Sequence, residues 1–261
     1  MGGMDINNNL YSYFTSREIK IANSNFKNVR KVSLDEFKMQ IDNIIMFQNS
    51  FRGYKDNILP RIGGAIGKDF ESYKLQVKRL ELDLERISEK IDKEIVDIFL
   101  LEEGERLLNL ARKAIEYVEN SNYKNLIRRS MKNYEVCLGK VDESNMRINE
   151  SGKLEIRTIK YLAYNLVEQD LYYYLKYIKK RNNNIDLEYL INYFVQESLL
   201  EDDSREYLKG LISYPIESLK LWDRYLKSKK NLTEKQYIDG FYRAKIIDSN
   251  ELIDGGGLFF E

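Results

Sequence analysis

Apolar residues recur every three or four positions through much of this chain, and this periodicity restricts the fold more than any other feature. Such spacing places the apolar side chains on one face of a helix, where they pack against a core. Only two prolines, Pro60 and Pro215, interrupt the pattern. The clearest stripe predicts one long helix from residue 68 onward. Its members are Val77, Leu80, Leu84, Ile87, Ile91, Ile95 and Ile98.

Two further features indicate where helices begin. Ser33, followed by Glu36 three residues later, matches a capping box, in which side chain and main chain bond reciprocally across the first helical turn. We therefore expect a helix to start there and to continue through an apolar stripe to Phe47. A second helix is expected to follow Gly104 and to end at residues 120–122, where polar residues succeed the stripe.

The middle of the chain has a period of two residues, which is typical of strands. Residues 135–138 predict one short strand, and residues 146–148 and 154–157 predict two more. The tetrapeptide 149–152, Asn-Glu-Ser-Gly, separates the last two and has the composition of a tight turn. The predicted fold class is therefore mainly α, an α+β fold in which helices flank a small antiparallel β-hairpin insertion.

The composition excludes several kinds of catalytic site. The 261 residues include no histidine and one cysteine, Cys137. Without histidine the chain cannot form a Ser-His-Asp triad, a histidine-bound metal site or an imidazole acid–base pair. With one cysteine it cannot form an internal disulfide or a zinc site built from several thiolates. An enzyme of this composition would depend on carboxylates, lysine, tyrosine or a bound metal.

The charge and hydropathy of the chain also limit its partners. The 42 Lys and Arg residues balance 42 Asp and Glu residues, whereas dedicated nucleic-acid-binding proteins carry a basic excess. No apolar run approaches the roughly 18 residues that a membrane span needs. No signal-peptide pattern opens the chain. We expect a soluble protein that is made in the cytoplasm, without a nucleic-acid partner or a membrane span.

Several motifs between residues 35 and 250 occur in a fixed order. Residues 137–145 read Cys-Leu-Gly-Lys-Val-Asp-Glu-Ser-Asn, residues 155–160 read Glu-Ile-Arg-Thr-Ile-Lys, and residues 161–164 read Tyr-Leu-Ala-Tyr. Asp170, which we expect to cap the next helix, follows. This order resembles the large lobe of the aminoglycoside- and choline-kinase-like phosphotransferases, and within them the CotS-type spore coat protein family. That family has a C-H-G-D-x-x-x-x-N loop and an I-D-F-D metal-binding strand end.

The resemblance implies an isolated, kinase-like large lobe over residues 34–250. Residues 1–33 would be an N-terminal extension or a remnant of the interlobe linker, and residues 251–261 a flexible tail. The roughly 33 residues before the first predicted helix are too few for the sheet of a kinase small lobe, so we expect that lobe to be missing. The glycine-rich segment 63–68 lacks the first glycine and the Ser/Thr of a phosphate-binding loop, and an inter-helix turn is expected there.

The positions that carry catalysis in the family hold other residue types here. In such kinases an Asp orients the substrate hydroxyl, and an Asn and a second Asp hold Mg²⁺. The resemblance places Lys140 at the first Asp, Thr158 at the metal-binding Asp and Lys160 at the next acidic position. Asn145 alone is retained. Because an ammonium group repels Mg²⁺ and accepts no proton, we expect no catalysis, no bound metal and no cofactor.

The resemblance implies a non-catalytic structural or interaction protein of the bacterial endospore coat, a pseudokinase whose partners are other coat proteins or copies of itself. Its partner-binding surface is expected near the hairpin 146–157 and the first 35 residues. The alternative is a residual small-molecule phosphotransferase, or a binder of an anionic metabolite, that uses Lys140, Asn145 and Lys160. A helical adaptor unrelated to kinases also stays open.

Overall fold

The computed structural model describes residues 5–22, 26, 33–55, 62–181, 185–227, 232–249 and 252–253. Contacts divide the chain into two compact units, each built from two separate segments. The first unit comprises residues 1–67 and 124–205, and the second comprises residues 68–123 and 206–261. The predicted boundary between residues 33 and 34 therefore lies inside the first unit.

The described residues form helices with short strands between them. The helices are α1 (Asp5–Ser16), α2 (Leu34–Phe51), α3 (Lys68–Ser88), α4 (Ile95–Asn120), α5 (Tyr123–Asn133), α6 (Glu168–Lys179), α7 (Leu187–Glu197), α8 (Asp202–Ser213), α9 (Ile216–Leu226) and α10 (Glu234–Asp248). The strands are β1 (Lys20–Ile21), β2 (Gly63–Gly64), β3 (Val136–Cys137), β4 (Met146–Ile148), β5 (Leu154–Ile156) and β6 (Ala163–Tyr164). The predicted mainly helical fold with a small β insertion is confirmed.

Two three-stranded sheets lie in the first unit. In one, β5 pairs in parallel with β1 and antiparallel with β4, which confirms the predicted hairpin. In the other, β6 lies between β2 and β3, and β3 confirms the strand predicted at residues 135–138. Gly63–Gly64 forms β2 and pairs with Ala163–Tyr164, and residues 66–67 form a turn before α3, so the inter-helix turn predicted for residues 63–68 is confirmed only in its last part. These strands hold the loops that follow β3 and β5 beside each other.

Within the first unit, α1 packs against α2, and β1 pairs with the sheet. Phe14 of α1 is fully buried, and its ring lies 4.7 Å from the ring of Phe51 in α2. The start of α2 follows the sequence prediction, because Glu36 N donates to Ser33 Oγ over 3.3 Å and Ser33 N donates to Glu36 Oε2 over 3.0 Å. This reciprocal capping satisfies donors that the first turn leaves without helical partners.

In the second unit, the predicted long helix from residue 68 was wrong, because the chain turns after Ser88 and α4 begins at Ile95. Contacts between Glu81 and Arg112, and between Leu84 and Gly104, show that α3 and α4 pack antiparallel. Packing two stripes together buries more apolar surface than one extended helix does, and it leaves Ile91 in the turn 98% exposed.

Gly104 lies inside α4 rather than before it, so the predicted helix start at this glycine was wrong. A Cβ at this position would lie 2.4 Å from Leu84 Cδ2 and 3.1 Å from Trp222. The glycine is therefore a close-packing position between helices. At the other end of this unit, Asp248 of α10 accepts hydrogen bonds from Ser218 N and Ser218 Oγ and so caps α9. No helix of the described residues is both long and apolar enough to cross a membrane.

Candidate functional site

Asp170 fixes the loop that follows β3. It is fully buried, and its carboxylate accepts hydrogen bonds from Leu138 N over 2.9 Å and from Gly139 N over 2.8 Å. Gln48 of α2 adds a longer bond of 3.4 Å. Since α6 already begins at Glu168, Asp170 is not its N-cap, and the predicted capping role was wrong. Its side chain instead holds the start of residues 137–145 in place.

The environment of Asp170 disfavours its charge. Burial raises the pKa of this carboxyl to about 6, although the bonds from Gly139, Leu138 and Gln48 oppose the rise. Gly139 also restricts the loop: its φ is +74°, and a Cβ would lie 2.8 Å from the carbonyl oxygen of Tyr161. A side chain at this position would therefore collide with main chain, which moves less easily than a side chain end.

Asn145 joins the loop after β3 to the segment after β5. Its side chain is fully buried, and Nδ2 donates to the carbonyl oxygens of Lys140 over 2.6 Å and Thr158 over 3.0 Å. Thr158 N donates back to Asn145 Oδ1 over 2.8 Å. The structure thus brings together Lys140, Asn145 and Thr158, which the resemblance implies for the catalytic loop and the metal-binding strand end. Both amide protons and one oxygen lone pair of Asn145 are used by main chain.

The cationic residues lie around this junction. The side chains of Lys140 and Arg157 are half-buried, and that of Lys160 is exposed. Lys160 N donates to Thr158 Oγ1 over 3.3 Å, and its ammonium lies 5.7 Å from the ring centre of Tyr161. Within the described residues, no group of three or more acidic or cysteine side chains is arranged to hold a metal ion.

Sequence reasoning missed two amides of α2 that support the loop. Gln40 Nε2 donates to the carbonyl oxygens of Val141 and Met146, and Gln48 Nε2 donates to that of Val167 in addition to Asp170. Both glutamines are buried. The signal was present in the sequence, because they occupy positions on the apolar stripe of α2, where an unpaired amide would be costly.

A buried ion cluster around Arg129 of α5 was also missed. The guanidinium bonds to both carboxylate oxygens of Glu135, to Glu168 Oε2 over 2.8 Å and to Ser204 Oγ over 3.0 Å. Glu135 is 4% exposed and Glu168 is fully buried. Burial alone would lower the pKa of Arg129, but the two carboxylates raise it above its ordinary value. The spacing of these residues along the chain gives no pattern from which the cluster could be predicted.

The comparisons with known proteins concern the fold. Among solved structures, the aminoglycoside phosphotransferase from Alicyclobacillus acidocaldarius is similar to this chain, with a TM-score of 0.63 and 13% sequence identity. The similarity covers 82% of this chain and 62% of that protein, so the chain spans less than two thirds of its length. No protein-family model and no curated protein matches the sequence. At this identity the similarity shows that the two proteins share a fold, and it shows nothing of activity or family.

Proposed function

We propose that this protein is a non-catalytic, structural or interaction component of the bacterial endospore coat, a pseudokinase relative of the CotS-type proteins. The main support for the loss of catalysis is the set of hydrogen bonds that the Asn145 side chain makes. The amide that would hold Mg²⁺ is buried and bonded to the main chain of Lys140 and Thr158. The endospore setting comes from the sequence resemblance.

The side chains at this junction support the proposal in a second way. A Mg²⁺ site is built from carboxylate and other oxygen ligands around one or two carboxylates. Here the corresponding positions carry Lys140, Thr158 and Lys160. The ammonium groups would oppose a divalent cation, and Thr158 Oγ1 already accepts a bond from Lys160 N.

A magnesium titration with ATP tests the loss of catalysis. A ligand at about one hundred times its Kd stabilises a folded protein by about 2.7 kcal/mol. We expect neither Mg²⁺ nor ATP with Mg²⁺ to raise the Tm of the wild-type protein. The variant Lys140→Asp/Thr158→Asp returns two carboxylates to the junction and is expected to gain a Mg²⁺-dependent rise, whereas Lys140→Ala/Thr158→Ala is not. A Mg²⁺-dependent rise with ATP in the wild type would contradict the proposal, and a rise with sugar phosphates alone would favour the anion-binding alternative.

The hairpin face is the proposed partner surface. Part of it is covered by the chain itself, since β1 pairs with β5 and the guanidinium of Arg147 lies 4.1 Å from the ring centre of Phe26. Ile148 and Leu34 stay exposed by 39% and 43%. Exposed apolar side chains beside a sheet edge are common at protein-binding sites.

Recruitment to the coat tests this surface and the endospore setting together. We expect Ile148→Glu/Leu34→Glu to reduce the coat localisation of a fluorescent fusion in sporulating cells. The two new carboxylates would have to be buried in the contact with the partner. The control Ile246→Glu/Leu82→Glu makes the same change on α10 and α3, where the side chains are 55% and 60% exposed. Unchanged localisation of the first variant, or equal loss in the control, would argue against the hairpin face. A wild-type fusion that never reaches the coat would reject the setting.

A further inference from the structure

The exposed face of α5 carries a row of cations, which we call the basic stripe: Lys124, Arg128 and Lys132. Their spacing of four residues places them on one helix face, about 6 Å apart along the axis. Arg128 donates to Asn125 Oδ1 over 3.3 Å. Within the part of the chain that the structure describes, no carboxylate forms an ion pair with any of the three. The stripe therefore presents uncompensated positive charge to solvent.

A row of carboxylates on α3, the acidic stripe, has the same spacing: Glu81, Glu85 and Glu89. Glu89 follows the last residue of the helix, but its N–H donates to Glu85 O over 3.2 Å, so the helical repeat continues. Glu85 and Glu89 are exposed, and no described cation forms an ion pair with them. Glu81 accepts bonds from Arg112 and keeps a side chain that is 37% exposed.

The two stripes are opposite in sign and equal in spacing and length. Each repeats at about 6 Å and extends over about 12 Å along its helix. The charges of the whole chain follow the same division, since the first unit contains 23 Lys and Arg against 19 Asp and Glu, and the second contains 19 against 23. Opposite potentials on two surfaces favour and orient their association.

We propose that copies of this protein associate with one another through the basic stripe of one copy and the acidic stripe of the next. The contact joins two different surfaces, so it is heterologous and generates either closed rings or open chains. Because the charges are solvent-exposed, the contact is weak and depends strongly on salt. This self-association is independent of the proposed function and of the cellular setting.

A second copy fits the basic stripe better than a nucleic acid does. Proteins that bind duplex DNA commonly neutralise about 6–10 phosphates, and the stripe offers three cations on a chain without net charge. The chain itself supplies a complementary row of the same spacing. A second copy therefore explains both stripes, whereas a nucleic acid would explain one.

Reciprocal charge reversal with sedimentation velocity tests the proposal on the full chain. We expect the wild-type mass to rise with concentration at about 10 mM salt and to return to the monomer at about 1 M salt. Arg128→Glu/Lys132→Glu and Glu85→Lys/Glu89→Lys should each weaken self-association by about tenfold or more. An equimolar mixture of these two variants should associate again, since each then offers the stripe that the other needs. The control Lys235→Glu/Arg243→Glu on α10 changes the net charge by the same amount as the first variant and should associate like the wild type.

Each other outcome rejects the proposal. A wild-type protein that stays monomeric at low salt would overturn it, and so would a mixture that stays monomeric after each variant has lost association. Equal loss in the α10 control would assign the effect to net charge. Wild-type protein that is monomeric, yet binds duplex DNA or phosphatidylserine vesicles through Arg128 and Lys132, would give the basic stripe a different partner. Circular dichroism of each variant confirms folding. Failure of the coat-recruitment test leaves this result unaffected.

Discussion

The buried carboxyl of Asp170 makes the stability of the folded protein depend on pH. Its pKa in the folded protein, about 6, lies above the ordinary value of 3.8 because burial outweighs three hydrogen bonds. The folded state therefore holds the proton more tightly than the unfolded state does. The stability that this proton contributes is complete below the ordinary pKa and is lost as the pH rises through 6. A rise of about two pKa units corresponds to about 3 kcal/mol.

We predict that the advantage in stability of the wild type over Asp170→Asn grows as the pH falls from 7 to 4. The asparagine does not titrate, so the difference between the two urea unfolding curves isolates the contribution of this carboxyl. At pH 7 the asparagine also presents an N–H₂ group toward Leu138 N or Gly139 N, which leaves a buried donor without an acceptor. An advantage that shrinks on acidification would show that the hydrogen bonds, rather than burial, control the pKa.

Single residues were predictable from sequence only where their partners are close along the chain. Ser33 and Glu36 bond across three residues, and their capping box was predicted correctly. Asp170 bonds to residues 31 and 32 positions earlier, and a local cap was predicted in place of these bonds. Asn145 was singled out by its place in a motif, but its bonds to Lys140 and Thr158 follow from the tertiary fold.

At the scale of secondary-structure elements, whether a segment is helix or strand was easier to predict than where the element begins and ends. The hairpin of β4 and β5 was correct because alternation and a turn tetrapeptide are local signals. The break between α3 and α4 was missed, because the period of three to four continues through residues 88–95. The turn between α3 and α4 contains a local cluster, in which Lys90 donates to both carboxylate oxygens of Asp97 over 2.8 and 2.9 Å and Glu94 N donates to Asp97 Oδ2.

Electrostatic interactions stabilise the Asp97 carboxylate in that cluster. Asp97 is fully buried at the start of α4, where a carboxylate is favoured by the helix dipole. Burial alone would raise its pKa, but the bonds from Lys90, Glu94 N and Tyr225 lower it below the ordinary value. Asp97 is the sequence signal for the start of α4, because acidic residues are favoured in the first turn of a helix.

At the scale of the whole molecule, both units are built from segments that are distant in sequence. The two segments of the second unit are separated by the 82 residues from Lys124 to Arg205. In the folded first unit, Arg129 and Ser204 bond over 3.0 Å, so the two ends of this stretch are held close together. Closing a flexible loop of that length would cost about 4 kcal/mol. The first unit therefore stabilises the second through chain connectivity.

We predict that Arg129→Met destabilises both units. Removing the guanidinium leaves Glu135 and Glu168 buried without a cation, which costs about 3–5 kcal/mol. Trp222, the single tryptophan, is buried in the second unit, so its fluorescence reports unfolding there. We expect the fluorescence transition in urea to shift with the transition seen by circular dichroism.

A fluorescence transition that stays at the wild-type urea concentration, while the circular dichroism transition moves, would show that the units unfold independently. The variant Arg205→Met is the matched control. Arg205 is half-buried and pairs over 2.6 Å with Asp202, whose side chain is 82% exposed, and an ion pair with one exposed partner contributes little to stability. We expect both of its transitions to stay near those of the wild type.

The interleaved segments also set an order for synthesis on the ribosome. Residues 68–123 emerge before residues 124–205, and the contacts of α3 with α4 lie within that earlier segment. The first unit lacks α6 and α7 until residue 197 has emerged, and α9 and α10 of the second unit follow them. One segment of the second unit is thus translated before the first unit is complete, and the other segment after it.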